Sequence, residues 1–236
     1  MSHDTSPSAV NRSTPPHPHC SVHHKAPRES AATATSAAAT SAATPKLAGQ
    51  SLARLCDALD TVFEQAVGSV EPSQRAAFAL GVRTALADAA ADPALLVPAQ
   101  REGSADSYRR HPLAADPHGR YAIAALVWMP GQASPVHAHR TWCGYVVLDG
   151  ALSETVYDWD ESQQLAIETR TRPRASGAVS FVRAGRSGIH RLGNASDAPA
   201  VSLHIYGVEG SQISTHVNDV LELADRAQSL AEPALS

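Results

Sequence analysis

The chain is poor in the features that mark several common classes of protein. Its 236 residues include three cysteines, Cys20, Cys56 and Cys143, too few and too scattered for a disulfide framework. Neither sign of charge dominates: a net charge of -4 and a pI near 6.3 provide no basic surface of the kind nucleic acid or an anionic membrane selects. The longest apolar run, residues 121–129, falls far short of the ~20 residues that span a bilayer. The first thirty residues lack the continuous apolar stretch of a secretory signal. These absences leave a reducing, cytoplasmic setting as the expectation, with no nucleic acid and no membrane among the partners. What is present, 43% hydrophobic and 18% charged residues, is the composition of a globular protein. Its length suits one moderate core with appendages.

Large apolar residues are also scarce from Met1 to about Pro45, where Ser, Thr, Ala, Pro and His dominate. Such a segment buries too little surface to offset its ordering entropy, so residues 1–45 are expected to form a disordered tail. His17, His19, Cys20, His23 and His24 sit within it. A floppy, proline-interrupted chain does not pre-organise them, and they read as a decoy for metal. From Lys46 the pattern changes. Leu52, Leu55, Leu59, Val62, Phe63 and Ala66 recur at helical spacing to about residue 67, with Gly68 in the stop position. A second helix is expected over residues 73–91, with Ser73 as N-cap and Asp92-Pro93 as its end. Residues 46–98 thus read as a helical cap. Beyond Pro98 the periodicity is that of strands: 121–129, 143–148, 152–158 after the Asp149-Gly150 turn signal, 164–172, 178–183 and 200–206. Short strands without intervening helices imply an antiparallel sandwich or barrel over residues 99–220, followed by a tail, 221–236. The chain has no evident internal repeat, and the sequence leaves its oligomeric state open, with a monomer as the expectation.

The residues that carry chemistry begin at Gly131. In a strand, residues two apart share a face, so His137 and His139 at a strand end aim both imidazoles into one space, as a metal ion requires. A lone His-x-His is a weak signal, and glycines at fixed distances strengthen it. Gly131, five residues, His137-Ala-His139, three residues, Cys143, six residues and Gly150 together resemble the first motif of the cupin superfamily. Cys143 stands where that motif usually has its glutamate ligand. Gly177, Gly185, His190 and Asn194 resemble the second motif, with Arg183 where proline is common and two extra residues before the histidine. The resemblance implies an all-β fold, a cupin double-stranded β-helix (jelly-roll barrel), in which His190 completes a metal triad with His137 and His139. Without a carboxylate, three neutral imidazoles leave a divalent ion its full charge and about three open positions. That favours an anionic ligand such as a thiolate. Spacing alone does not choose among Fe, Zn, Mn, Ni and Cu.

A narrower resemblance chooses. Tyr108-Arg-Arg110, His137-x-His139, Cys143, Glu154-Thr-Val-Tyr-Asp158, Gly188-Ile-His190-Arg191 and Val201-Ser-Leu-His204-Ile-Tyr206 resemble the cysteine dioxygenase family, in the same order, over residues 107–207. The resemblance implies non-haem Fe(II) as cofactor and oxidation of L-cysteine by O2 to cysteine sulfinic acid. Ser202, His204 and Tyr206 alternate with Val201, Leu203 and Ile205, so the polar three share a face. Period alone leaves open which trio faces the cavity. By resemblance Tyr206 stands near O2, with His204 and Ser202 orienting its hydroxyl. Arg110, in a loop, would hold the substrate carboxylate in a bidentate fork, Tyr108 would assist, and Arg109 would be a surface charge. Cys143 and Tyr206 match a pair that forms a thioether crosslink in eukaryotic members. Here one residue fewer separates Cys143 from His139, and the bland reading of Cys143 is a small buried hydrophobe.

Two features point elsewhere. Trp142 completes a His-x-His-x-x-Trp pattern that resembles bacterial 3-mercaptopropionate dioxygenases, which carry glutamine where Arg110 stands. Gly207-Val208 replaces the Ser-Pro that follows the tyrosine in eukaryotic members. The reading from sequence is therefore a cupin thiol dioxygenase acting on L-cysteine. The alternatives are the same chemistry on 3-mercaptopropionate, a non-catalytic metal-binding cupin, and a Zn or Mn isomerase or hydrolase.

Overall fold

The structure is a computed structural model that describes residues 32–223, with backbone alone for 32–44. The histidine-rich stretch 17–24 and residues 224–236 lie outside the described residues. Two five-stranded antiparallel sheets form the barrel. The first runs, in spatial order, β1 (Arg109–Ala115), β2 (Ala122–Trp128), β9 (Ala200–Tyr206), β4 (Cys143–Asp149) and β7 (Val179–Val182). The second runs β10 (Asn218–Val220), β3 (His137–His139), β8 (Gly185–Gly193), β5 (Ala151–Asp160) and β6 (Leu165–Ala175). This is the cupin double-stranded β-helix that the motifs imply.

β2 and β9 are buried at every position, and the reason is that both faces of their sheet are covered. On one face Ile123, Val127, Val146, Leu203 and Ile205 pack under two helices. On the other Ala124, Leu126, Tyr145 and Val147 meet Leu152 and Leu192 of the opposing sheet. A strand covered on both sides reads as an unbroken apolar run instead of an alternation. The second sheet keeps one face open, and its edge strand β6 is largely exposed.

The helices depart from the expected boundaries. α1 (Ala32–Glu64) starts upstream of residue 46 and carries Pro45 within it, so the expected tail is shorter than 1–45. Alanine is the strongest helix former, and a lack of large apolar residues does not exclude a helix where alanine supplies the composition. α2 (Ala76–Ala90) begins after Ser73, which belongs to a separate 3-10 turn, Pro72–Gln74. Ser73 is not its N-cap. Its hydroxyl donates to Glu71 Oε1 at 2.7 Å, and the α2 N-terminus has no side-chain cap. A third correction concerns Arg110, which lies in β1 and not in a loop. Pro112 disguises this strand in sequence. It is tolerated because β1 is an edge strand, and the pairing with β2 shifts register between Pro112 and Ala114. No helix among the described residues is long and apolar enough to cross a membrane.

Candidate metal centre

Lateral strand pairing assembles the site. His137 on β3 lies opposite His190 on β8, and both rings point into the barrel with His139. The ring centroids are 5.1 Å apart for His137–His139, 4.8 Å for His137–His190 and 4.9 Å for His139–His190. One nitrogen from each lies within 4.8 Å of the others. Among the described residues no aspartate or glutamate joins this group. His137 Nδ1 is 3.0 Å from the Pro135 carbonyl, and His190 Nδ1 is 2.9 Å from Glu154 Oε1. As Nδ1–H donors, both rings turn Nε2 inward with a free lone pair. His139 Nδ1 is buried without a hydrogen-bond partner. Burial, followed by the neighbouring His190, pushes the pKa of His137 down to about 3 and that of His139 down to about 2. Three buried, convergent imidazoles, two with Nε2 free, fit a divalent ion.

The register decides the question that period leaves open. Ser202, His204 and Tyr206 face the barrel interior, where Tyr206 is the cross-strand neighbour of Cys143 and His204 that of Tyr145. The Trp128 indole donates to Ser202 Oγ at 2.9 Å, and Ser202 Oγ is 2.9 Å from His204 Nε2. Tryptophan can only donate, so Ser202 Oγ accepts from the indole and keeps its own O–H and a second lone pair for the contact with His204. Burial keeps His204 neutral, its pKa well below the ordinary value. Between His204 and Tyr206 the contact is ring stacking, 5.7 Å between centroids at 21°. The charged neighbour of Tyr206 is Arg110, whose guanidinium lies 5.7 Å from the centre of its ring. Burial raises the pKa of Tyr206 above the ordinary tyrosine range, which keeps the hydroxyl protonated.

Arg110 reaches the cavity from β1. It donates from Nη1 to the Ile213 carbonyl at 3.0 Å, lies 5.7 Å from the centre of the Tyr206 ring, and carries a buried Nε with no partner. Arg109 points away, half-exposed and 4.0 Å from Glu102. Tyr108 stacks on Trp128 with centroids 4.5 Å apart. Cys143 is buried, and burial pushes its thiol up to about 12.

Sequence reasoning gives no role to Tyr145, Trp128, Arg172 or Arg174. Tyr145 stacks on His204 at 5.3 Å and stands 6.4 Å from His190. In a strand apolar on both faces, nothing local marks which residues point inward. Glu154 appears in sequence only as part of a motif, yet its carboxylate backs His190. Burial would raise its pKa, but hydrogen bonds from His190 and Arg172 outweigh that and hold it at about 2. Trp142 is absent from the cavity. It packs with Phe78 and Phe181 in the helix-side core, and its indole lies against the Cα of Gly207. The two features that point away from the eukaryotic enzymes are thus a single packing contact.

Residues 103–217 match the family model described as cysteine dioxygenase type I. Cysteine dioxygenase type 1 of Rattus norvegicus is 33% identical over 92 residues, which cover 38% of this chain and 46% of the relative. That of Danio rerio is 31% identical over 108 residues, 43% of this chain and 52% of the relative. The chain therefore spans about half the length of the curated relatives it matches. A solved cupin 2 conserved barrel domain protein from Salinispora arenicola aligns over 44% of this chain and 80% of its own, at 18% identity and a TM-score of 0.34. Over residues 103–217 the barrel of this chain is thus similar to the cysteine dioxygenase family and to these relatives.

Proposed function

We propose that the chain is a non-haem iron thiol dioxygenase that oxidises L-cysteine with O2 to cysteine sulfinic acid. The observation that carries this reading is a set of three convergent buried imidazoles that no carboxylate among the described residues joins, in a barrel where the Arg110 guanidinium, with an unpartnered buried N–H, lies over Tyr206. His137, His139 and His190 would hold the metal. Ferrous iron, when bound, supplies adjacent open positions and the one-electron chemistry that brings a thiolate and O2 together. The protein's part is to bind and orient. Arg110 offers the fork geometry that matches a carboxylate, and Tyr108, stacked on Trp128, would assist it. Tyr206, kept protonated by burial, can direct its hydroxyl proton toward the reacting oxygen atoms, while the hydrogen bond to Ser202 fixes the orientation of the His204 ring. The overall change, thiol plus O2 giving sulfinic acid, balances without a further reductant.

The register also supports a Cys143–Tyr206 thioether. Directly paired residues on neighbouring antiparallel strands hold their Cβ atoms ~5 Å apart, so the shorter spacing from His139 is no obstacle to contact. Intact mass lower by two hydrogens, with a Cys143–Tyr206 peptide after digestion, is the expected result. An unaltered mass after turnover removes the crosslink.

One observation favours 3-mercaptopropionate as a second substrate. Among the described residues, Glu154 is the carboxylate beside the cavity, and His190 and Arg172 already occupy it. The described residues then offer no free carboxylate beside the cavity to recognise an α-ammonium group. Anaerobic loading with Fe(II), followed by O2 uptake and sulfinate analysis with both thiols, tests the proposal. Equimolar O2 consumption and sulfinate are expected from L-cysteine. Thiol binding without sulfinate from either compound would leave a non-catalytic metal-binding cupin.

A further inference from the structure

The carboxylate that the cupin motif lacks at Cys143 is present one layer farther out. Glu154 projects inward from β5 and is 2% exposed. Its Oε1 lies 2.9 Å from His190 Nδ1. Its Oε2 accepts from Arg172 Nε at 2.8 Å and pairs with Arg172 Nη2 at 2.7 Å, while Arg174 Nε lies 3.7 Å away, too far for a hydrogen bond. Arg174 is itself anchored, donating to the Val179 carbonyl at 2.9 Å and lying over the Tyr145 ring at 5.4 Å. Tyr145 packs on the cavity side, against His204.

The three imidazoles are therefore supported unequally. His137 is backed by a backbone carbonyl and His139 Nδ1 has no partner. His190 alone is backed by a charged side chain. A carboxylate taken out of water is costly unless paired and fully hydrogen-bonded. Arg172 holds Oε2 and His190 holds Oε1, and one contact on each oxygen fixes the carboxylate plane, while Arg174 adds positive charge nearby. The fixed carboxylate in turn sets the ring angle of His190 and its tautomer, and a carboxylate on Nδ1 makes Nε2 a stronger donor to a metal.

We propose that Glu154, held by Arg172 with Arg174 nearby, is a positioning residue that aims His190 at the metal and delivers through that ring the negative charge the motif no longer supplies directly. This rests on the reading of the three histidines as a metal centre. It makes the electrical description of the site less extreme: the ion meets three neutral rings, one of which is polarised by a buried anion.

The test uses the full chain, freed of metal, and Co(II) as the probe. Binding is measured by calorimetry, the ligand field by visible absorption, and folding by thermal melting. Glu154→Gln keeps the size and removes the charge; Arg172→Gln leaves the carboxylate in place but loosens its clamp. Glu154→Gln is expected to weaken Co(II) binding by roughly 10- to 100-fold, the usual cost of losing such a partner, and to shift the Co(II) bands. Arg172→Gln should weaken it less. If Glu154 only ties β5 to β6, both variants will melt earlier yet bind Co(II) with the parent's affinity and spectrum, and the inference falls. Should Glu154→Gln not fold, Arg172→Gln decides alone: weakened binding supports the inference and parental binding overturns it. A parent chain that takes up no Co(II) would overturn the metal reading along with it.

Discussion

Gly207 and Trp142 offer a sharp quantitative test of how the barrel is packed. A Cβ added at residue 207 would lie 2.2 Å from Trp142 Nε1 and 2.6 Å from both Cδ1 and Cε2, where non-bonded contacts settle near about 3.5 Å. The indole has little room to retreat. It stacks on Phe181 with centroids 5.8 Å apart, meets Phe78 edge-on at 5.3 Å and has Phe63 at 6.3 Å. The backbones are joined as well, since Gly207 N–H donates to the Trp142 carbonyl at 3.0 Å. Gly207→Ala therefore overpacks a filled core, at a cost of about 2–3 kcal/mol. For a domain of this size each kcal/mol moves the melting midpoint by ~2–4 °C, so a fall of roughly 4–12 °C is expected. In a Trp142→Phe background the smaller ring leaves space, and the same substitution should cost ~1–2 kcal/mol less in a double-mutant cycle. Denaturant unfolding of the four proteins measures both quantities. The ratio of kcat/KM for cysteine and 3-mercaptopropionate should not change in Trp142→Phe, because Trp142 lies on the helix side of the first sheet. Parental stability in Gly207→Ala, or an equal cost in both backgrounds, would refute the reasoning.

Arg110→Gln should reduce kcat/KM for cysteine and for 3-mercaptopropionate by roughly thirtyfold, about 2 kcal/mol for a charge-assisted contact, while leaving cysteamine, which has no carboxylate, unaffected. An equal loss on all three thiols would mean that Arg110 supports the cavity instead of binding substrate. Fe(II) at a hundred times its Kd should raise the unfolding free energy by about 2.7 kcal/mol, and His190→Ala should abolish the increase in anaerobic melting. An increase that survives in His190→Ala would place the ion elsewhere. Asp116 joins β1 to the helical cap through Arg120, which also pairs with Asp60 of α1. Hydrogen bonds from Arg120 lower its pKa from 3.8 to about 2. A carboxyl lowered in the folded state contributes fully above its unfolded pKa, and the contribution is lost as pH falls toward 2. This amounts to about 2 kcal/mol. Urea unfolding between pH 5 and pH 2 should therefore show a steeper loss for the parent than for Asp116→Asn, and identical pH dependence would contradict it.

What the sequence makes legible is what repeats along a single strand. His137 and His139 share a face because they are two apart, and so do Ser202, His204 and Tyr206. What it hides is set laterally. His190 and Glu154 are 36 residues apart and meet because β5 pairs with β8. Arg110 belongs to a strand that Pro112 disguises. Tyr145 and Trp128 sit in strands buried on both sides, where period 2 carries no inside-or-outside signal. The same limitation explains why Trp142 and Gly207 look like two independent marks of substrate class. They lie 65 positions apart in sequence but touch across the first sheet, and steric need accounts for both. Once they are explained by packing, the His-x-His-x-x-Trp pattern has no bearing on which thiol is oxidised. On the proposed function, discrimination must come from groups that face the cavity, where Arg110 would select for a carboxylate and Glu154 is already engaged by His190 and Arg172. An α-amino group would consequently gain its affinity from the metal alone. The preference for cysteine over 3-mercaptopropionate should follow the identity and charge of the bound ion more closely than any side-chain substitution in the barrel wall.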